Sequence, residues 1–187
     1  MKVSKLTCAL ISLLLLSSCS SVPKGPYGYT DSYLKARQQT PSCQWPDDAQ
    51  MQAYLALFSP LREDYIDQHL DQVFAEHFYF NDTLVTLHDR SALKTHLMKT
   101  AKRLSDMSLR PLDVIHGHDQ YVFLLWVMDA HFSVLGSKQL SRTIGISQLC
   151  FNDQGRVVFQ QDFWDSSQGL DQHLPVIGPM TRWLRDH

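Results

Sequence analysis

The hydrophobic pattern of this chain changes period once, and that change limits the fold more than any other feature. From about Asp47 to Leu104, apolar residues recur at helical spacing. Met51, Tyr54, Leu55, Leu57 and Phe58 precede Pro60, and Asp47 or Asp48 can cap that helix. Tyr65, Ile66, Leu70, Val73 and Phe74 form a second stripe from about Arg62 to Ala75, and Leu93, Leu97, Ala101 and Leu104 form a third from Ser91. Phe78 to Asn81 is a short apolar strand between the last two. From Met107 the period drops to two, with strand-like runs at 107–116, 121–135, 139–151 and 156–165. Short Gly-, Asn- and Asp-containing breaks of hairpin type separate them. Helices first and an antiparallel meander afterwards imply an α+β fold with the helices on one face of the sheet. A last short helix carries Met180, Trp183 and Leu184.

The chain has 187 residues, 44% hydrophobic and 19% charged, the balance of one globular domain. Lys plus Arg number 17 against 19 Asp plus Glu, a net charge of −2. No cationic excess is available to neutralise phosphates, which argues against nucleic acid as a partner.

Residues 1–18 have Lys2 and Lys5, then an apolar stretch from Leu6 to Leu16, then small residues, the pattern of a secretory signal. The stretch is too short for a permanent span of a bilayer core about 30 Å thick. Its end, Leu16-Ser17-Ser18-Cys19, resembles the lipobox of bacterial lipoproteins, which implies cleavage before Cys19 and acylation of that residue. The alternative is an ordinary signal with a chance cysteine. Ser20 in place of aspartate points to the outer membrane, periplasmic face, over the inner membrane. Residues 19–46, with Pro23, Gly25, Pro26, Gly28, Pro41 and Pro46, read as a lipidated cysteine and flexible tether, and residues 47–187 as the domain. Without Lys2 and Lys5 the basic count falls from 17 to 15 against 19 acids, or −4. Cys43 and Cys150 are then a candidate disulfide in an oxidising compartment, or two separate buried thiols.

Tyr79-Phe80-Asn81-Asp82, Ser91-Ala92-Leu93, and Gly155-Arg156-Val157-Val158 leading to Asp162-Phe163-Trp164-Asp165 give the order and spacing of a known superfamily. From about Asp48 to His187 the chain resembles the nuclear transport factor 2-like proteins, which include SnoaL-like polyketide cyclases and ketosteroid isomerases. The resemblance implies a cone of three N-terminal helices packed on a curved antiparallel sheet, with a pocket at the open end. It places three sets of alternating residues inside: Gln160, Asp162 and Trp164; Ser147, Leu149 and Phe151; and Leu124, Trp126, Met128, Ala130 and Phe132. Asp129, His131, Gln148 and Cys150 fall on the outer surface.

The isomerases of the superfamily take a proton with an aspartate after the first short strand, and Asp82 stands at that place. The alternative role for Asp82 is to cap a turn. Ser147 occupies the position of the isomerases' second acid, and Tyr54 or Phe58 that of the helix-one tyrosine, so steroid isomerase chemistry itself does not carry over. Asp162 is a second inward carboxylate, and two acids in one dry cavity can divide acid and base roles; its other reading is a hydrogen-bonding strand residue. Trp126, Met128, Gln160 and Trp164 are candidate pocket residues, and the two tryptophans suit either a ligand wall or a core. The nine histidines lack partners at ligand spacing, so no metal is expected, and no cofactor motif is found. Three functions follow: a periplasmic lipoprotein whose cone binds a small hydrophobic ligand, a SnoaL-like isomerase, cyclase or hydrolase with Asp82 as base, or an association domain forming a homodimer through the sheet face.

Overall fold

The structure, a computed structural model, describes residues 23–187. The expected signal at 1–18 and Cys19 lie outside the described residues.

The segment expected to be a tether contains a helix, α1 (Gly28–Gln39). All its prolines and glycines stand at or beyond the ends of this helix, and residues 29–40 contain neither. Counting breakers over the whole segment therefore concealed a helix-compatible run between them. Thr40 closes α1 by donating its N–H and hydroxyl to the Ala36 carbonyl, at 2.9 and 2.7 Å.

The three expected helices follow as α2 (Asp48–Phe58), α3 (Glu63–Val73) and α4 (Arg90–Arg103). Asp47 and Gln50 form a reciprocal capping box on α2, each side chain accepting from the other's backbone N–H. Asp89 caps α4 by accepting from the Ala92 N–H at 2.8 Å.

Six strands make one sheet: β1 (Phe74–Asn81), β2 (Thr86–Asp89), β3 (Leu104–His116), β4 (Val122–Val134), β5 (Ser137–Phe151) and β6 (Val157–Trp164). Their order is β2-β1-β6-β5-β4-β3. The four-residue β2 was too short to show an alternation. The sheet is mixed and not wholly antiparallel, because β1 pairs in parallel with β6. A parallel partner must return through a long crossover, and α4 with the whole β3–β5 meander supplies it here. The two-residue turn Leu135-Gly136, with φ of 49° and 82°, joins β4 to β5 in the primed geometry that suits sheet twist. Pro111 is tolerated because β3 is an edge strand.

Leu57, Ile66 and Leu93 from the helices meet Phe74, Leu124 and Leu149 from the sheet, all fully buried. On the opposite face α1 lies against β5 and β6. Tyr33 donates to Gln148 Oε1 at 2.9 Å and sets its ring edge-on to Phe159 and Phe163. Arg37 lies over Tyr121, 4.9 Å from the ring centre. Cys43 and Cys150 form a disulfide at a Cα separation of 5.1 Å. Gln148 and Cys150 are on the outer face, as alternation requires, but both are fully buried beneath this covering. That part of the face is therefore closed to a second subunit. The final segment contains a helical turn α5 (Ser166–Gly169), a 3-10 turn at Asp171–His173, and α6 (Ile177–Asp186).

Because the disulfide closes a loop of more than a hundred residues, replacing Cys43 and Cys150 by alanine should lower stability by about 2–5 kcal/mol. Thermal unfolding with and without reductant measures this, and limited proteolysis should then cut within residues 23–44.

Candidate functional site

The concave side of the sheet does not close on itself. Between it and α2 and α4 lies an open cavity of about 510 Å³. Its walls are mostly apolar, with Phe58, Leu97, Met107, Met128, Phe132 and Trp164 among the lining residues. Two groups of polar side chains on those walls carry the site's chemistry, and Arg103, Ser133 and Ser141 also line the cavity.

The first group spans α2, β5 and β6. Tyr54, Ser147 and Gln160 are almost wholly inaccessible, while Asp162 keeps a partly accessible surface and lines the cavity. Strand register sets Ser147 directly opposite Asp162. The Trp126 indole N–H donates to Ser147 Oγ at 2.9 Å. Gln160 Nε2 donates to both oxygens of Asp162, each at 3.1 Å. The buried Gln160 Oε1 has no hydrogen-bond partner among the described residues, an acceptor open to a ligand's donor.

Burial is the main influence on the Asp162 carboxyl and moves its pKa up to about 7; the negative charge of Asp82 pushes the same way, against hydrogen bonds from Ser147 and Gln160. The Tyr54 hydroxyl is held well above its ordinary value, first by burial and then by the Asp162 charge, with Ser147 opposing. Tyr54 therefore remains a donor at neutral pH, while Asp162 exchanges a proton there.

The second group lies where β1 ends. Asp82 Oδ1 accepts from the Leu84 and Val85 N–H groups at 3.0 and 2.9 Å, which makes it a turn-forming residue. Its Oδ2 stands 2.7 Å from His96 Nε2 on α4. Asp82 thus serves the turn with one oxygen and faces the cavity-lining His96 with the other. Two contacts tie this turn to β6: the Trp164 indole donates to the Asp82 carbonyl at 2.9 Å, and the Thr83 hydroxyl donates to the Asp162 carbonyl at 3.3 Å. The structure so brings Tyr54, Asp82, Trp126, Met128, Ser147, Gln160, Asp162 and Trp164 to one cavity. Cys43 and Cys150 are away from it, beneath α1.

Sequence reasoning missed two contributors. His96 was grouped with the scattered histidines; its helical phase beside Leu97 and Thr100 was the available signal. Gly145 faces Trp126 across β4 and β5, and a Cβ there would overlap the indole ring. Among the described residues, no three His, Cys, Asp or Glu side chains converge as a metal site.

The raised Asp162 pKa gives a signed expectation. The fold binds the acid's proton more tightly than the unfolded chain, so stability is lost as pH rises from about 4 to about 7. Asp162→Asn should remove that loss and gain on the wild type across this window, with a ceiling of about 4 kcal/mol. Thermal unfolding of both proteins over a pH series measures the difference. Gly145→Ala should displace Trp126 from Ser147 and cost about 1–3 kcal/mol, read in the same melts and in tryptophan fluorescence.

No protein-family profile and no curated protein sequence matches this chain. Solved structures do match its shape. A Catenulispora acidiphila protein with a ketosteroid isomerase-like fold, in complex with trimethylamine, superposes with a TM-score of 0.56 at 16% identity, covering 68% of this chain and 95% of its own. A candidate SnoaL-like polyketide cyclase from Shewanella denitrificans gives 0.56 at 12% identity, over 75% of this chain and 100% of its own. A phenazine biosynthesis-related protein from Pseudomonas aeruginosa gives 0.51 at 13%, over 80% and 87%. The cone of helices on a curved, mixed six-stranded sheet is the nuclear transport factor 2-like, SnoaL-like fold.

Proposed function

We propose that this chain is a lipoprotein, anchored through acylated Cys19 at the periplasmic face of the outer membrane, whose cone binds a small, largely apolar molecule carrying one polar group. The observation that carries the binding reading is the open 510 Å³ cavity, apolar on its walls and polar where Tyr54, Ser147, Gln160 and Asp162 meet. Apolar walls supply affinity by water exclusion, and a few fixed polar groups orient the guest. Tyr54 and Ser147 offer hydroxyls, and Gln160 an acceptor. The anchor follows from the Leu16-Ser17-Ser18-Cys19 sequence, since acyl chains at about 0.8 kcal/mol per buried CH₂ hold a domain that has no spanning helix among its described residues.

A second reading, acid–base catalysis on the same guest, is favoured by the Asp162 pKa near 7. In it Asp162, more than the turn-bound Asp82, takes a proton from a carbon next to a carbonyl. Tyr54 or Ser147 donates a hydrogen bond to the oxygen on which negative charge develops, and the proton returns from Asp162 at a neighbouring position. The ketosteroid isomerase-like fold and the polyketide cyclase name among the structural relatives agree with this reading at the level of fold.

Native mass spectrometry of the purified full-length protein should show a bound small molecule that is lost in Trp164→Ala and kept in Asp162→Asn. An empty protein that also fails to take up an apolar fluorescent probe overturns the binding reading. If the molecule changes mass or isomeric form with wild type but not with Asp162→Asn, the catalytic reading stands. Movement of Cys19→Ala from the membrane to the soluble fraction supports the anchor, and an N-terminal peptide that carries no acyl mass on Cys19 removes it.

A further inference from the structure

The C-terminal helix α6 is oriented opposite to the usual surface helix. At 100° per residue, Val176, Ile177, Met180, Trp183 and Leu184 fall within a stripe about 120° wide, and Gly178, Arg182 and Arg185 fall on the other side. A surface helix normally turns such a stripe to the core. Here the polar side faces the domain: Gly178 is buried against the Gln172 carbonyl, Arg182 donates to that carbonyl, and Arg185 donates to Gln172 Oε1 at 3.1 Å. The apolar stripe is left in solvent, with Val176 86% exposed and Met180, Trp183 and Leu184 each near 60%. So many adjacent exposed apolar side chains mark an interaction surface.

Three observations identify what covers it. Tyr33 of α1 reaches Phe163 near the end of β6, while Arg37 further along α1 reaches Tyr121 at the other end of the sheet. The first turn of α1 therefore points to the end from which α5 and α6 depart. Leu170, Gly169 and Phe132 at this same end line the cavity. Finally, Cys19 and Gly28 are nine residues apart, a reach of at most about 30 Å even when fully extended. With α1 held on the sheet by Tyr33 and Arg37, and the segment after it by the disulfide, an acyl anchor at Cys19 holds this end of the domain near the bilayer surface.

We infer that α6 is an interfacial membrane helix, its stripe of Val176, Ile177, Met180, Trp183 and Leu184 lying in the bilayer that carries the Cys19 anchor, so that the cavity mouth meets the lipid surface. This rests on the anchor proposed above. It adds a route for the guest: an apolar molecule passes between bilayer and cone without crossing water.

The full-length chain is reconstituted in phosphatidylcholine and phosphatidylglycerol vesicles whose acyl chains carry bromine, a contact quencher of indole. Tryptophan emission should be quenched, the quenched part should vanish in Trp183→Phe, and Leu184→Glu should abolish it with the melting temperature unchanged. Absence of Trp183-dependent quenching in a protein whose N-terminal peptide carries the acyl mass overturns the helix assignment and leaves the anchor. An N-terminal peptide without acyl mass removes the anchor, and Trp183-dependent quenching on added vesicles then keeps the helix at the membrane. If Trp183 is shielded only in a dimer, seen by cross-linking and by single-copy nanodiscs in which quenching is absent, the stripe is a protein contact and the membrane assignment is overturned.

Discussion

The parallel seam between β1 and β6 is the constraint on which the rest of the site depends. Asn81 is the register partner of Gln161, so the next residue along each strand, Asp82 and Asp162, arrive side by side at the cavity. Three side chains secure the seam: Gln161 donates to Asn81 Oδ1 at 3.1 Å, Thr83 reaches the Asp162 backbone, and Trp164 reaches that of Asp82; Asn81 in turn donates to Thr86 on β2 at 2.8 Å. If this pairing slipped by one residue, alternation would carry Gln160, Asp162 and Trp164 to the outer face together. The carboxylate pair and the Trp164 side of the cavity wall would vanish with it.

Given that seam, the chemistry follows from the dielectric. An aspartate in the open would ionise near 4, but the apolar cone denies Asp162 the water that favours its charge, and Asp82 adds repulsion. Neighbouring donors keep the group from being merely expelled. Gln160 holds both its oxygens, and Ser147, itself fixed by Trp126, stands across from it. The same surroundings keep the Tyr54 proton in place. A binding protein and an acid–base enzyme need the same enclosure, which is why this fold accommodates both.

The two faces of the sheet are used differently. The concave face holds an open cavity, while the outer face is covered over β5 and β6 by α1 and the disulfide. That covering makes part of the segment expected to be a tether a structural element. The first turn of α1 and the outward stripe of α6 are at the same end of the molecule.

Periodicity made the helices from α2 to α4 and the β3–β5 hairpins legible, because local burial alternates at 3.6 or 2 residues whatever surrounds it. The short breaks between strands were readable for the same reason, being local turn chemistry. The inward faces of β4, β5 and β6 followed from alternation once the fold was recognised, and with them Trp126, Ser147, Gln160 and Asp162. Helix α1 was hidden because its prolines and glycines flank it, and β2 because four residues carry no period. Cys150 and Gln148 were placed on the correct face, but only the docking of α1 decided that the face was buried there. His96 could not be paired with Asp82 from the sequence, since their contact depends on how α4 settles over the end of β1. The sequence by itself determined which side chains share a face, a matter of backbone geometry within each strand or helix. Only the tertiary structure decided which faces meet, because the parallel return of β6 to β1 and the outward turn of α6 depend on contacts between residues far apart in the chain.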